Sequence, residues 1–419
     1  MTSSIEAQPA RNERLITPHF LLITATTLVY FTYVGILVPL VPSLIEDGFG
    51  GSKFEIGLAM AVFSLVAIAS RPMLARLGER YGMRPVIVGG ALMALFATLA
   101  CTLADNLWSL LPLRCVQGIG EAFVFVGGAT MASQAAAPSR RAEAASYYSV
   151  AVFCGIGIGP LLSDPLVNEG RYDAAFLLGA AFVAATVVLG LLSPNSLPRR
   201  GTATVETEHG PVATTLGGIE PAAAASVDEP AVKQRRIHPD AVLPGLILAV
   251  GIASFTPFNA FMPAHAKTVG FGGAAVAFGL YSAICLSFRI VGARLPERMG
   301  LPRTVSASLV GIASGMAILA GWSSKIGVIA GTAVMSLGIS LLYPALAGLA
   351  TRRASNDEQV RVMSAFTMFF EVGVVSGALG FGLVGSLTSR RGAFAAAAIC
   401  AAMGWFLVRV KLVKRLGTR

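Results

Sequence analysis

Charge is what this 419-residue chain has little of: Asp, Glu, Lys and Arg make up 13% of it, about half the share usual in soluble domains. Hydrophobic residues make up 55% and the mean hydropathy is +0.71. So little polar side chain cannot cover a water-facing surface, and lipid is the expected solvent. Cysteine is also sparse. Cys101, Cys115, Cys154, Cys285 and Cys400 lie singly in apolar segments with no Cys-x-x-Cys or Cys/His spacing. That excludes a disulfide framework and a metal site and leaves buried thiols. No Gly-x-x-x-x-Gly-Lys-Ser/Thr loop is present, which argues against a nucleotide-driven pump. His-Glu-x-x-His, a Ser/His pair and paired acids on one helix are likewise missing, so an intramembrane enzyme is not expected.

What is present is a repeat. Arg71-x-x-x-Ala75-Arg76-Leu77-x-Glu79-Arg80-x-Gly82 returns as Arg289-x-x-x-Ala293-Arg294-Leu295-x-Glu297-Arg298-x-Gly300, 218 positions later. The same shift places Gly120 on Gly338, Ser146 on Ser364, Gly155 on Gly373, Gly159 on Gly377 and Phe176 on Phe394. One register held over about a hundred residues means two halves built to one plan, the arrangement of secondary transporters.

A helix needs about 20 apolar residues to cross the hydrocarbon core. That rule predicts twelve spans near 20–42, 56–70, 86–104, 109–133, 144–163, 174–192, 242–263, 274–288, 304–322, 327–350, 362–386 and 393–408. The first follows a polar stretch, Met1 to His19, and carries no small-residue cleavage site, so it is expected to stay as a span. The predicted organisation is a tail over 1–19, a six-helix bundle over 20–192, a flexible cytoplasmic linker over 193–240, a second bundle over 241–408 and a basic tail over 409–419. The linker is rich in Pro, Ala, Thr, Gly and Glu, has no hydrophobic period, and ends in Lys233-x-Arg235-Arg236.

Placing both termini in the cytoplasm puts 25 Lys and Arg on the inner segments and six on the outer loops: Lys53, Arg171, Lys267, Lys325, Arg390 and Arg391. The split is a strong positive-inside signal. It accounts for the net charge of +10 without nucleic acid. The last two arginines run against it.

The box Ala75-Arg76-Leu77-Gly78-Glu79-Arg80-Tyr81-Gly82-Met83-Arg84 is expected to link spans two and three. It resembles the loop signature of the major facilitator superfamily, with Glu79 at the usual Asp and Met83 at the first late Arg. The second copy departs further, with Pro296 and Pro302. Its physical logic is a latch: Glu79 pairs with an arginine and faces a helix N-terminus in one conformation and loses both in the other. Arg71, Glu79, Arg80, Gly82, Arg289, Glu297 and Arg298 are therefore candidate gate residues.

In the fourth span, Arg114-Cys115-Val116-Gln117-Gly118-Ile119-Gly120-Glu121 resembles the Arg-x-x-Gln-Gly-x-Gly motif of the superfamily's drug–proton antiporters. Independently of that, an Arg or an acid inside a membrane helix costs roughly 2.5–3.5 kcal/mol, so neither faces lipid. Positions 114, 117, 118 and 121 share one helix face. Seven residues rise about 10.5 Å, so only water or cargo could join Arg114 to Glu121. The resemblance implies a part for Arg114 in proton coupling, with Glu121 and Glu371 as candidate carboxylates. A structural ion pair is the plain alternative for each.

Gly155-Ile156-Gly157-Ile158-Gly159-Pro160 resembles the fifth-helix motif of exporters in the superfamily, and Gly155, Gly159 and Pro160 are expected to set helix packing. In that fold the first, fourth, seventh and tenth helices line a cavity. They offer Tyr30, Tyr33, Gln117, Asn259 and Tyr343, and the eighth adds Tyr281. Aromatic faces with one or two acids suit a lipophilic or cationic molecule. The resemblance thus implies an all-α, twelve-helix membrane transporter of two pseudo-symmetric six-helix bundles, working as a monomer in the bacterial inner membrane. It would expel a small molecule against protons, with the proton gradient as energy source and no cofactor. Export or symport of a sugar or other metabolite, and a non-transporting receptor or scaffold, remain alternatives.

Overall fold

A computed structural model describes residues 17–136, 140–194, 239–290, 299–352 and 356–412. Among the described residues there are twelve long helices. The first six are α1 (Pro18–Ser43), α2 (Lys53–Tyr81), α3 (Met83–Ala100), α4 (Leu107–Ala135), α5 (Arg141–Asn168) and α6 (Tyr172–Leu192). The second six are α7 (Pro239–Thr268), α8 (Ala275–Ile290), α9 (Leu301–Gly321), α10 (Lys325–Thr351), α11 (Asn356–Leu387) and α12 (Arg390–Leu407). Eleven are long and apolar enough to cross a membrane, and Ala275–Phe288 of α8 is a shorter apolar helix. A helix thus stands at each of the twelve expected spans, eleven of them long enough to cross. Linker residues 195–238, positions 291–298 with Glu297 and Arg298, and the ends of both tails lie outside the described residues.

Local chemistry sets the boundaries. Ser52 caps α2 by accepting from the Glu55 N–H at 3.3 Å while the Glu55 carboxylate accepts from the Ser52 N–H at 2.5 Å. Asn106 and Ser109 form the same reciprocal cap on α4. One expectation needs correcting. The charged box is not a loop: α2 runs on as helix through Ala75 to Tyr81 and breaks only at Gly82, whose φ is 85°. Ala, Leu, Glu and Arg are good helix formers, so losing apolar character after Arg71 ended the predicted span but not the helix. Gly300 has φ 81° at the start of α9, so both copies of the box end at a glycine in the left-handed region.

The 218-residue register reappears as packing. A methyl group on Gly155 would press on the α1 backbone at Phe31, and one on Gly373 on the α7 backbone at Ala249. Gly159 lies on Gly35, and Gly377 on Ala253. Gly120 meets Gly90 and Ala94 of α3, and Gly338 meets Ser308 and Ile312 of α9. Each second contact is the first displaced by 218 in both partners. Small residues let helix backbones approach where lipid supplies no hydrophobic drive between helices. Within each bundle the first helix packs on the fifth and the third on the fourth and sixth. Between bundles α2 packs on α11 and α5 on α8. α1 and α7 are the innermost, with 78% and 72% of their spans buried against 39% for α6 and 33% for α12.

Overpacking a tight contact costs roughly 1–3 kcal/mol. Gly159→Leu and Gly377→Leu should therefore each lower the thermal midpoint in detergent by several degrees. Gly380→Ala, with nothing near the added methyl, should leave it unchanged. Indifference to both leucines would show that these contacts do not hold α5 on α1 or α11 on α7.

Candidate transport site

Two faces of the bundle carry different chemistry: a terminal face, where α1 begins and α12 ends, and a distal face, where α1 ends and α2 begins. Arg114 lies two turns into α4 from the distal face and is 7% exposed. Its Nη1 donates to Gln117 Oε1 at 2.8 Å, and its guanidinium carbon stands 4.4 Å from the centre of the Phe63 ring of α2. Gln117 passes the polarity on, its Nε2 donating to Thr98 Oγ1 at 3.1 Å and toward Cys101 Sγ at 3.6 Å. The Tyr33 hydroxyl meets Thr98 Oγ1 at 2.8 Å. Tyr30 stacks edge-on against Tyr33, with ring centres 5.4 Å apart.

The predicted shared face of α4 therefore exists, and Arg114 and Gln117 bond directly along it. Thr98 and Cys101 were not anticipated. They sit on or just beyond another helix, and no spacing within α4 could point to them.

Deeper along the membrane, Arg71 Nη2 donates to Glu371 Oε1 at 2.8 Å. Arg71 was expected in a gate and Glu371 in proton coupling; the structure makes them one ion pair joining α2 of one bundle to α11 of the other. Glu121 is half-buried on α4, and the charges whose fields reach it are Glu371 and Arg71. Glu79 and Arg80 are exposed near the end of α2, with Arg80 5.2 Å from the Tyr81 ring centre. No ion pair of Glu79 occurs among the described residues. Arg289 lies in α8.

The second bundle supplies an aromatic cluster. Tyr281 stacks on Phe255, with centres 5.3 Å apart, and Phe258 packs edge-on against Phe278 at 5.2 Å. Tyr343 lies 5.5 Å from Phe366 and 6.5 Å from Phe370. Asn259 is half-buried on α7 beside Phe258. In the glycine motif, Gly155 and Gly159 face α1, whereas Gly157 faces Ser282 of α8. One motif thus serves packing within a bundle and between bundles, and Pro160 follows in the same helix.

Polar contacts join the bundles at the distal face. Lys267 pairs with Asp47 at 3.0 Å and Arg390 with Glu46 at 2.5 Å. Ser386 Oγ of α11 accepts from the Phe54 N–H of α2 at 2.8 Å, and the Asp164 carboxylate of α5 accepts from the Ala275 N–H of α8. The arginines that ran against the charge split now have partners, since Arg391 donates to the carbonyls of Ala320 and Gly321 at the end of α9.

Paired bundles with ionisable groups at their interface are the architecture of one transporter class, and the sequence comparison agrees. The profile of the Major Facilitator Superfamily matches residues 23–302 and 274–417. The chain belongs to the major facilitator superfamily. An uncharacterized MFS-type transporter of Escherichia coli O157:H7, YhhS, is 25% identical over 380 residues, covering 87% of this chain and 85% of that protein. Another, STM4428 of Salmonella typhimurium strain LT2, is 23% identical over 408 residues, covering 93% and 95%. Among solved structures, the nucleoside transporter NupG superposes with a TM-score of 0.71 at 13% identity, covering 94% of this chain and 98% of that one. A POT family transporter in complex with a conjugated peptide gives 0.73 at 14% identity, with 95% and 96% covered. The human organic anion transporter MFSD10 gives 0.65 at 15% identity, with 95% and 100% covered. These likenesses carry the fold, and their printed cargoes differ.

Partly exposed ion pairs contribute roughly 0.2–1 kcal/mol each. Replacing Glu46 and Asp47 together by alanine should therefore raise, several-fold, the labelling of Asn259→Cys by a membrane-impermeant maleimide added at the distal face, in a background with the native cysteines changed to serine. An unchanged rate would mean that packing alone closes this end.

Proposed function

We propose that this chain is a proton-coupled exporter that moves a small, largely apolar molecule outward by alternating access. It acts as a monomer in the bacterial inner membrane, with both termini in the cytoplasm and the proton gradient as its energy source, without a cofactor. The orientation rests on the 25-to-six division of basic residues, which makes the terminal face cytoplasmic.

The observation that carries the reading is the Arg71–Glu371 pair. It crosses the bundle interface at membrane depth, with Glu121 in its field. Protonating Glu371 removes the charge that holds Arg71, so a proton and a bundle-to-bundle link cannot be held together. Glu121 is the second carboxylate able to take that proton. A carboxylate in low dielectric is sensitive both to burial and to a neighbouring cation, and rocking the bundles changes both. The boxes at the cytoplasmic ends of the bundles act as gates.

The outward direction is supported by the exporter-like Gly155 to Pro160 motif and by the resemblance of Arg114 to Glu121 to the drug–proton antiporters. Ion pairs join the bundles at the distal face, which favours a cargo site that fills from the cytoplasm. The aromatic cluster of Phe255, Phe258 and Tyr281 supports a cargo with an apolar body. It offers few of the hydrogen-bonding side chains a sugar requires.

The test is reconstitution into liposomes with an internal pH-sensitive dye and an imposed proton gradient. Addition of a transported cargo should move protons with the wild-type chain. Glu371→Gln should lower that proton movement by at least roughly tenfold, equivalent to about 1.4 kcal/mol, while exchange of cargo for cargo without a gradient persists. Proton movement undiminished in Glu371→Gln and in Glu121→Gln would sink the coupling assignment.

A further inference from the structure

We infer that Arg114 is the recognition point for an acidic group on the cargo, so that the transported molecule is an organic anion with a carboxylate or sulfonate at one end of an apolar body. The inference rests on the reading of the chain as a transporter but not on its coupling to protons.

Charge is out of balance around Arg114. Three other cations near the bundle interface face a carboxylate: Arg71 has Glu371, Arg390 has Glu46 and Lys267 has Asp47. Arg114 is more deeply buried than any of these and has no ion pair among the described residues. The titratable groups around it, Tyr33, Cys101, Tyr30 and Cys115, are phenols and thiols and carry no charge at neutral pH. A guanidinium carries five N–H donors. One bond from Nη1 goes to Gln117, and Nε has no partner among the described residues. The hydroxyl of Tyr30, fully buried in the same cluster, also has none.

Holding an unpaired cation out of water costs several kcal/mol, which one amide contact and one aromatic face do not cancel. Glu121 is not the missing partner. It is seven residues deeper on the same helix, about 10.5 Å along the axis, and its own field comes from Glu371 and Arg71. Among the described residues no acid neutralises Arg114, and an acidic group on the cargo would.

A planar carboxylate or a sulfonate accepts from the guanidinium edge and from a phenol hydroxyl together. Arg114 Nε and Tyr30 Oη are the unfilled donors for it. The Phe63 ring beside the guanidinium supplies an apolar wall for the carbon next to the acid. The carboxylate of Glu121, two turns deeper, repels a second negative charge, so a monoanion fits and its acidic end is the one held toward the distal side.

The test uses the full chain in lipid nanodiscs and reads ligand affinity from the shift in thermal midpoint at constant ionic strength. A panel of aryl carboxylates, 2-naphthoate among them, is compared with the matching amides and aryl methylammonium ions, and with chloride and inorganic phosphate alone. At least one carboxylate should bind at least about tenfold more tightly than its amide, a difference of about 1.4 kcal/mol. Arg114→Gln should erase that preference, Arg114→Lys should keep part of it, and Tyr30→Phe should weaken it several-fold. Should Arg114→Gln not fold, Arg114→Lys and Tyr30→Phe decide the matter. The inference is overturned if no carboxylate in the panel outbinds its amide or if the preference survives in Arg114→Gln. It also falls if chloride or phosphate binds as tightly as the aryl acid, which would make this an inorganic anion site. Loss of proton movement with the carboxylate preference intact would instead count against the coupling assignment alone.

Discussion

Hydrocarbon solvates neither a charge nor an open backbone group, and the organisation of this chain follows from that constraint. Each backbone must satisfy itself as helix, so the chain is a set of long apolar helices. Each charge at membrane depth must turn toward protein. Arg114 turns to Gln117 of its own helix and to Phe63 of α2, and Arg71 meets Glu371 between the bundles. The same constraint fixes how helices meet. With no hydrophobic gain in leaving lipid, association depends on close backbone contact, which Gly35 with Gly159 and Gly90 with Gly120 allow.

Packing repeats between the halves, and chemistry does not. The glycine contacts recur at a displacement of 218, whereas Arg114 corresponds to Thr332, Gln117 to Met335, Glu121 to Ile339 and Glu371 to Phe153. Arg71 and Arg289 alone keep an ionisable type at both positions of the intramembrane set. A symmetric scaffold thus provides two lobes that meet at a common interface, while an asymmetric set of charges makes the two ends of that interface different. One end of the interface carries Glu46–Arg390 and Asp47–Lys267, and Arg71–Glu371 joins the bundles farther along it.

The sequence made periodic features legible and left tertiary ones hidden. The twelve spans, the duplication and the shared face of Arg114 and Gln117 follow from composition and helical spacing, because each depends on neighbours along one helix. Glu371 is recognisable as a costly intramembrane charge, and Arg71 as a gate candidate just past its predicted span. Their pairing spans 300 positions and depends on how α2 lies along α11, which no local pattern encodes. Thr98 and Cys101 were missed for the same reason. Arg390 and Arg391 run against the charge split and are held by Glu46 and by the carbonyls that end α9. Helix continues through the charged box beyond the apolar span because hydropathy measures lipid preference and not helicity. The roles expected of Glu297 and Arg298 concern residues outside those described.

The central claim is that the two bundles exchange one closed end for the other. The most direct measurement is of two distances in the same sample, by electron–electron spin resonance in lipid nanodiscs. One label pair joins the distal ends of α1 and α7, and the other joins the terminal-face ends of α2 and α11. The account predicts two populations in which a longer distal distance always accompanies a shorter terminal-face distance, with the balance set by pH. A single population at every pH, or two distances that lengthen together, would contradict it.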